Sequence, residues 1–108
     1  ARAVATMGLD AVIPESPRLI GSLKSVTEHE KAFFIRAVEM VKAVNPEIAV
    51  ICGGGISSAE DVAEAVRMGA DGAGASRAIC EAEDPGKLLK EMVQALKREW
   101  KNRAILLQ

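Results

Sequence analysis

The chain is poor in cysteine and histidine, balanced in charge, and free of any long apolar run. Cys52 and Cys80 are the only cysteines and His29 the only histidine. Two thiols in unrelated contexts do not make a disulfide framework, and together with one histidine they fall short of a zinc ligand set. They predict two buried structural thiols in a reducing, cytoplasmic compartment, with no metal or organic cofactor. Lys and Arg number 14 against 15 Asp and Glu, a net charge of −1. A nucleic-acid binder would normally show a basic excess, so that partner is excluded. The longest apolar stretches, such as residues 48–52, are strand-sized and far from the ~20 residues of a bilayer span. What the chain does have is 49% hydrophobic residues in a length of 108. That is enough to bury a core in one ordinary domain. It begins at Ala1, with no Met, and reads as a piece of something longer.

Short apolar runs alternate with amphipathic stretches, the pattern of βα units and a parallel sheet. Residues 1–7 read as the last turns of a helix ended by Gly8. Residues 10–13 form a short strand closed by Pro14, and a loop follows to about Val26. From Glu28 to Val44, Phe34, Ile35, Val38 and Val41 predict one apolar helix face. Glu28 and Glu30 suit its first turn, His29 beside them reads as an exposed first-turn residue, and Asn45-Pro46 stops the helix. Residues 48–52 are a continuous apolar strand, as in a sheet covered on both faces. A capping box of Ser57 with Glu60, or of Ser58 with Asp61, opens a helix carrying Val62, Ala65 and Val66 and ending at Gly69. Residues 70–75 are a third strand of small side chains. Asp84-Pro85 then caps a last helix built on Leu88, Leu89, Met92, Val93 and Leu96, and residues 101–108 are left as an apolar tail of unknown role. The order is α-β-α-β-α-β-α.

Three segments carry chemistry. Residues 52–58, Cys-Gly-Gly-Gly-Ile-Ser-Ser, run from a strand through three glycines into a capped helix. Backbone amides in such a turn, with the positive helix end, favour a phosphate dianion over a mere tight turn. The segment lacks a Walker lysine and does not match the dinucleotide fingerprint. Gly72-Ala-Gly-Ala-Ser-Arg77 is a second strand end of small residues. Barrels of alternating strands and helices often hold one phosphate between their last two loops, with Ser76 and Arg77 here in position. Arg77 reads equally well as a surface cation. The third segment, Pro14-Glu-Ser-Pro-Arg-Leu-Ile-Gly21, places Glu15 directly after a strand, with residues 16–25 as a lid. Such a carboxylate is a general base if desolvated, although most loop glutamates are simply solvated.

In this order the three segments resemble the C-terminal half of triosephosphate isomerase of the short archaeal type. Residues 10–21 resemble its strand six with the catalytic glutamate and lid, residues 45–62 its strand seven and phosphate loop, and residues 69–85 its strand eight and last helix. The resemblance covers nearly everything from Ala1 to Leu96, and the glutamate-lid block is its specific part. It implies an α/β fold, a partial (β/α)8 barrel of about strands six to eight. It implies an isomerase that interconverts dihydroxyacetone phosphate and glyceraldehyde 3-phosphate through an enediol(ate). Glu15 aligns with the base, Ile20 with a lid residue whose amide meets the phosphate, Gly55 with the last glycine of the strand-seven loop, and Ser76 and Arg77 with the paired positions after strand eight. A glutamate base with a neutral histidine electrophile is the pairing for which this family is a standard illustration.

The departures are specific. Pro14 stands beside the base, Leu23 replaces a lid glycine, and Ser76-Arg77-Ala78 replaces Ala-Ser-Gly. They admit a diverged paralogue, a different phosphate-binding isomerase or synthase. The family's lysine follows strand one and its histidine strand four, and His29 does not align with that histidine. The resemblance therefore implies weak or no turnover by this chain alone. It also implies a second copy or a complementing N-terminal half as partner, since three parallel strands leave two edges unpaired. A half-barrel that only assembles is the non-catalytic alternative.

Overall fold

A computed structural model describes residues 2–15 and 28–106. Ile20, Leu23 and the expected lid lie outside the described residues, as does the His29 side chain. Three parallel strands, β1 (Ala11–Val12), β2 (Ala49–Cys52) and β3 (Gly72–Ala73), form one sheet in the order β1-β2-β3. Ala11 pairs with Ala49 and Val12 with Val50; Ile51 pairs with Gly72 and Cys52 with Ala73. The helices are α1 (Arg2–Ala5), α2 (Glu28–Val44), α3 (Ala59–Arg67), α4 (Arg77–Cys80) and α5 (Pro85–Leu106). The class is α/β, as expected, with one helix more than the sequence pattern indicated. That helix, α4, takes a single turn from the segment after β3. It is too short for a periodic apolar face to announce it.

Local chemistry sets the boundaries. Gly8 and Gly69 adopt φ of 73° and 105°, the left-handed region that ends a helix most cheaply with glycine. Asn45 stops α2 with an Asx turn, its Oδ1 accepting the Glu47 amide at 2.9 Å. At α3 the cap is Ser58, whose Oγ accepts the Asp61 amide at 3.1 Å. Glu60, the other candidate for the capping pair, instead meets Arg67 at 2.8 Å on the helix surface. Asp84 accepts the Lys87 amide at 3.1 Å, so α5 starts at Pro85 as the Asp-Pro step predicts. Its helical span reaches Leu106 and takes in most of the segment read as a tail.

The core lies on one face of the sheet. Val50 and Cys52 of β2, with Ile48 just before it, pack against Phe34, Val38 and Val41 of α2 and Val62 and Ala65 of α3. Ile48, Val41 and Val50 are fully buried, each contributing roughly 1.5–3 kcal/mol by transfer from water. Three expectations of burial are corrected. Ile35 is exposed because it sits about 100° around α2 from Phe34 and misses the sheet. Cys80 is exposed at the end of α4, where Ala78 is buried and Ile79 packs against the core. Leu89 and Val93 are exposed on α5, whose buried residues are Met92, Ala95 and Glu99.

Charged groups tie the elements together at the start of β3. The Asp71 carboxylate accepts from Lys42 Nζ of α2 at 2.6 Å and from the Val50 amide at 2.9 Å. Arg103 of α5 approaches it at 3.4 Å and donates to the Ala70 carbonyl at 2.7 Å. Burial alone would raise the Asp71 carboxyl. The Lys42 hydrogen bond, the Val50 amide and the charges of Lys42 and Arg103 outweigh it and hold the carboxyl below its usual range. Between α3 and α5, Arg67 donates to the buried Glu99 at 2.9 Å. No helix of the described residues is long and apolar enough to cross a membrane.

Candidate functional site

Parallel strands end on the same side of a sheet, so the loops after β1, β2 and β3 share one edge. The pairing register says more. Glu15 lies three residues beyond Val12 and Gly53 three beyond Val50, and those two residues are partners. Gly74 follows Ala73 as Gly53 follows Cys52, again a paired couple. Continuing the ladder therefore sets Glu15, Gly53 and Gly74 in one row. Side chains alternate along a strand, so residues 11, 13 and 15, residues 49, 51 and 53, and residues 72 and 74 share the face opposite the core. Ile13 on that face is 57% exposed, whereas Val50 on the other is 0%.

Contacts bear out the row. A side-chain carbon placed on Gly53 would collide with the Glu15 carboxylate oxygen and come within 2.9 Å of Ile13 Cγ2. One on Gly72 would meet Ile51 Cδ1 at 3.0 Å. A side-chain carbon on Gly74 would meet nothing within 4 Å. So the glycines of β2 and β3 serve close packing at two positions and leave open space at the third. The Gly74 amide donates to the Cys52 carbonyl at 2.9 Å and holds the two strand ends together.

The glycine turn itself is anchored from α3. Gly55 has φ of 75°, a conformation that an L side chain would strain. Asp61 Oδ2 accepts from both the Ser57 amide, at 3.0 Å, and the Ser57 hydroxyl, at 2.9 Å. This carboxylate already occupies the anionic position at the start of α3. Of the turn itself, Gly54, Gly55 and Ile56 are buried and Gly53 is half-buried. Beyond β3, Ser76 caps α4 without a side-chain hydrogen bond, and Arg77 pairs with Glu81 at 3.2 Å. Both Arg77 and Glu81 are more than half exposed, and such an i,i+4 pair is worth about 0.3–0.5 kcal/mol.

Cys52 sits behind this edge with its thiol in the core. Burial, then the nearby Glu15 carboxylate, then Asp61 push its pKa up to about 11. It is therefore a neutral packing group at ordinary pH, as its strand position predicts. Among the described residues, no group of three or more His, Cys, Asp or Glu is placed to share a metal ion. Two features escaped the sequence reading: the fit of Glu15 against Gly53, and the Asp61–Ser57 clamp. The first needs the strand register and leaves no local signal. The second is a contact of the Asp61 carboxylate with Ser57, whereas the Ser58–Asp61 spacing signals only the bond from the Asp61 amide to the Ser58 hydroxyl.

The edge of β1 borders a cavity of about 500 Å³. Val4, Leu9, Phe33 and Met40 form its apolar wall, with Glu15 and Arg36 as its charged groups. A cavity of about 250 Å³ opens at the β3 edge, lined by Leu89, Val93 and Leu96 among others.

Comparison with known proteins agrees with a barrel-derived sheet. A family model described as "Thiazole biosynthesis protein ThiG", itself a barrel, matches residues 1–103. The triosephosphate isomerase of Methanothermus fervidus is 41% identical over 84% of this chain and 41% of its own length. That of Methanopyrus kandleri is 38% identical over 89% of this chain and 42% of its own. A chain in the crystal structure of the Amycolatopsis orientalis BexX/CysO complex superposes with a TM-score of 0.70 at 27% identity, covering 91% of this chain and 37% of that one. The chain thus spans about two fifths of the length of the curated relatives it matches. It belongs to the family that the ThiG model describes, and it is a partial chain resembling triosephosphate isomerase.

Proposed function

We propose that this chain is the part of a phosphate-handling isomerase barrel that corresponds to strands six to eight, with a triose phosphate as substrate. The observation carrying this reading is the row at the carboxyl ends of the strands, where Glu15 faces the same side as Gly53 and Gly74. Glu15 acts as the base that moves a proton between adjacent substrate carbons through an enediolate. The amides of the turn ending in Gly55 hold the phosphate from one side, and the loop at Ser76 and Arg77 holds it from the other. The Ile20 amide joins them from the lid. The lysine and histidine of the reaction come from outside this chain. A complementing N-terminal half, or a second copy, packs along the sheet edges, where the two cavities expose apolar walls. The compartment is the cytoplasm.

The ThiG family match favours a second reading, a barrel enzyme acting on another phosphorylated substrate. One set of assays separates the readings. Isomerisation of dihydroxyacetone phosphate is measured for the full-length protein, its Glu15→Gln variant and the isolated 108-residue chain. Loss of a general base costs roughly 10²–10⁴-fold in kcat, and the isolated chain is expected to show little turnover. Full activity in Glu15→Gln refutes Glu15 as base. Near-enzymatic turnover by the isolated chain refutes the need for the missing residues. Faster conversion of another phosphorylated sugar in a substrate panel selects the second reading.

A further inference from the structure

Gly53 differs from the glycines that bracket it in function. Gly8, Gly55 and Gly69 have positive φ, and Gly53 does not. Its backbone therefore accepts any residue, and the constraint on it is space alone. That space is filled by β1. The first atom that a side chain would strike is the Glu15 carboxylate oxygen, followed by Ile13 Cγ2 at 2.9 Å and Glu15 Cδ at 3.2 Å. Ile13 is largely exposed and free to yield. Glu15 yields only by swinging its carboxylate away from the end of β2.

We propose that Gly53 is a positioning residue for Glu15: the missing side chain at the end of β2 is the seat in which the carboxylate rests. This rests on the reading of Glu15 as base for its catalytic consequence, and on geometry alone for the seat itself. The seat places the carboxylate on the open face in line with Gly74, beside the glycine turn. The same proximity is felt by the Cys52 thiol on the other side of the strand, which Glu15 helps to keep protonated. A methyl group at residue 53 forces the reacting oxygen out of this position. A displacement of about 1 Å at a reacting group can cost on the order of 10²-fold in rate.

The test is a double-mutant cycle in the full-length protein, with Gly53→Ala, Glu15→Ala and the pair. Gly53→Ala is expected to keep its melting temperature, lower kcat about 10²-fold and leave KM nearly unchanged. In the Glu15→Ala background, Gly53→Ala is expected to lower kcat no further, because its effect passes through the carboxylate. A role in the strand alone would lower both backgrounds equally, and that additive result overturns the proposal. If Gly53→Ala fails to fold, its combination with Glu15→Ala decides. Folding restored in the pair supports the seat, and folding still lost overturns it. Should Glu15→Ala prove fully active, the base reading fails and the seat is judged by NMR. A proton contact between Gly53 Hα and Glu15 Hγ, lost when residue 53 gains a methyl, upholds the seat, and absence of that contact in the parent overturns it.

Discussion

Asp71 offers the sharpest test of how the sheet is held. Replacing it with alanine removes a carboxylate whose side chain is only 18% exposed. The Val50 amide loses its acceptor on a fully buried strand residue, which costs roughly 1–3 kcal/mol. Lys42 and Arg103 lose a partner while remaining about a quarter and a third exposed, so water recovers most of their loss. Each contributes no more than about 1 kcal/mol. The expected total is about 3 kcal/mol, or a fall of roughly 15 °C in melting temperature for a chain this size. Asparagine is the informative comparison. Its amide oxygen still accepts from Val50, so Asp71→Asn should cost only about 1 kcal/mol. The pH dependence has a definite sign. The folded carboxyl titrates below its unfolded value, so its stabilisation is complete above the unfolded pKa and fades as pH falls through the folded one. The gap between parent and Asp71→Asn should therefore close in strong acid. Urea titrations at pH 7 and through the acid range measure both effects. The reasoning fails if alanine costs under about 0.5 kcal/mol, or if asparagine costs as much as alanine.

Two further outcomes follow from packing and exposure. A thiol reagent at pH 8 should modify Cys80 at once and Cys52 only on unfolding, since Cys52 is buried and its pKa is raised to about 11; two thiols reacting at one fast rate in the native protein would contradict the fold. Ile48→Ala should cost about 2–5 kcal/mol, because Ile48 is buried in the core beside the rigid start of β2 and the hole cannot easily collapse; a loss under about 1 kcal/mol in urea would place that side chain outside the core.

Much of this architecture is legible in the sequence because it is encoded locally. The helix over residues 28–44 coincides with α2 because one apolar face, an acidic first turn and Asn-Pro all agree. The run from Ile48 to Cys52 supplies the central strand, Ala49–Cys52, although only its alternate residues Ile48, Val50 and Cys52 are buried, the opposite face being left open. Strand length is less legible. The third strand shrinks to Gly72–Ala73 because the C-terminal cap of α3 reaches on through Gly69 to the Ala70 amide, which donates to the Ala65 carbonyl. Ile35, Leu89 and Val93 are as apolar as their buried neighbours, and only the direction of the facing surface leaves them outside. The candidate site divides in the same way. Glycines and Glu15 mark their loops by residue type, whereas the fit of Glu15 to Gly53 belongs to two strands 38 residues apart and exists only once their register is set. The Asp71–Lys42–Arg103 cluster is similar: each member is an ordinary surface charge until α2, β3 and α5 are brought to one point.

The row formed by Glu15, Gly53 and Gly74 makes the site a reader of counting errors. An added residue in the turn at Asn45 and Pro46 can be absorbed there, ahead of the ladder. The same addition between Ala49 and Gly53 would slide every later residue by one place and reverse which face each one occupies. The thiol of Cys52 would then face Glu15, and the gap left by Gly53 would open into the core. Variation in this protein should therefore accumulate as changes of loop length outside the strands, with the spacing inside them held fixed.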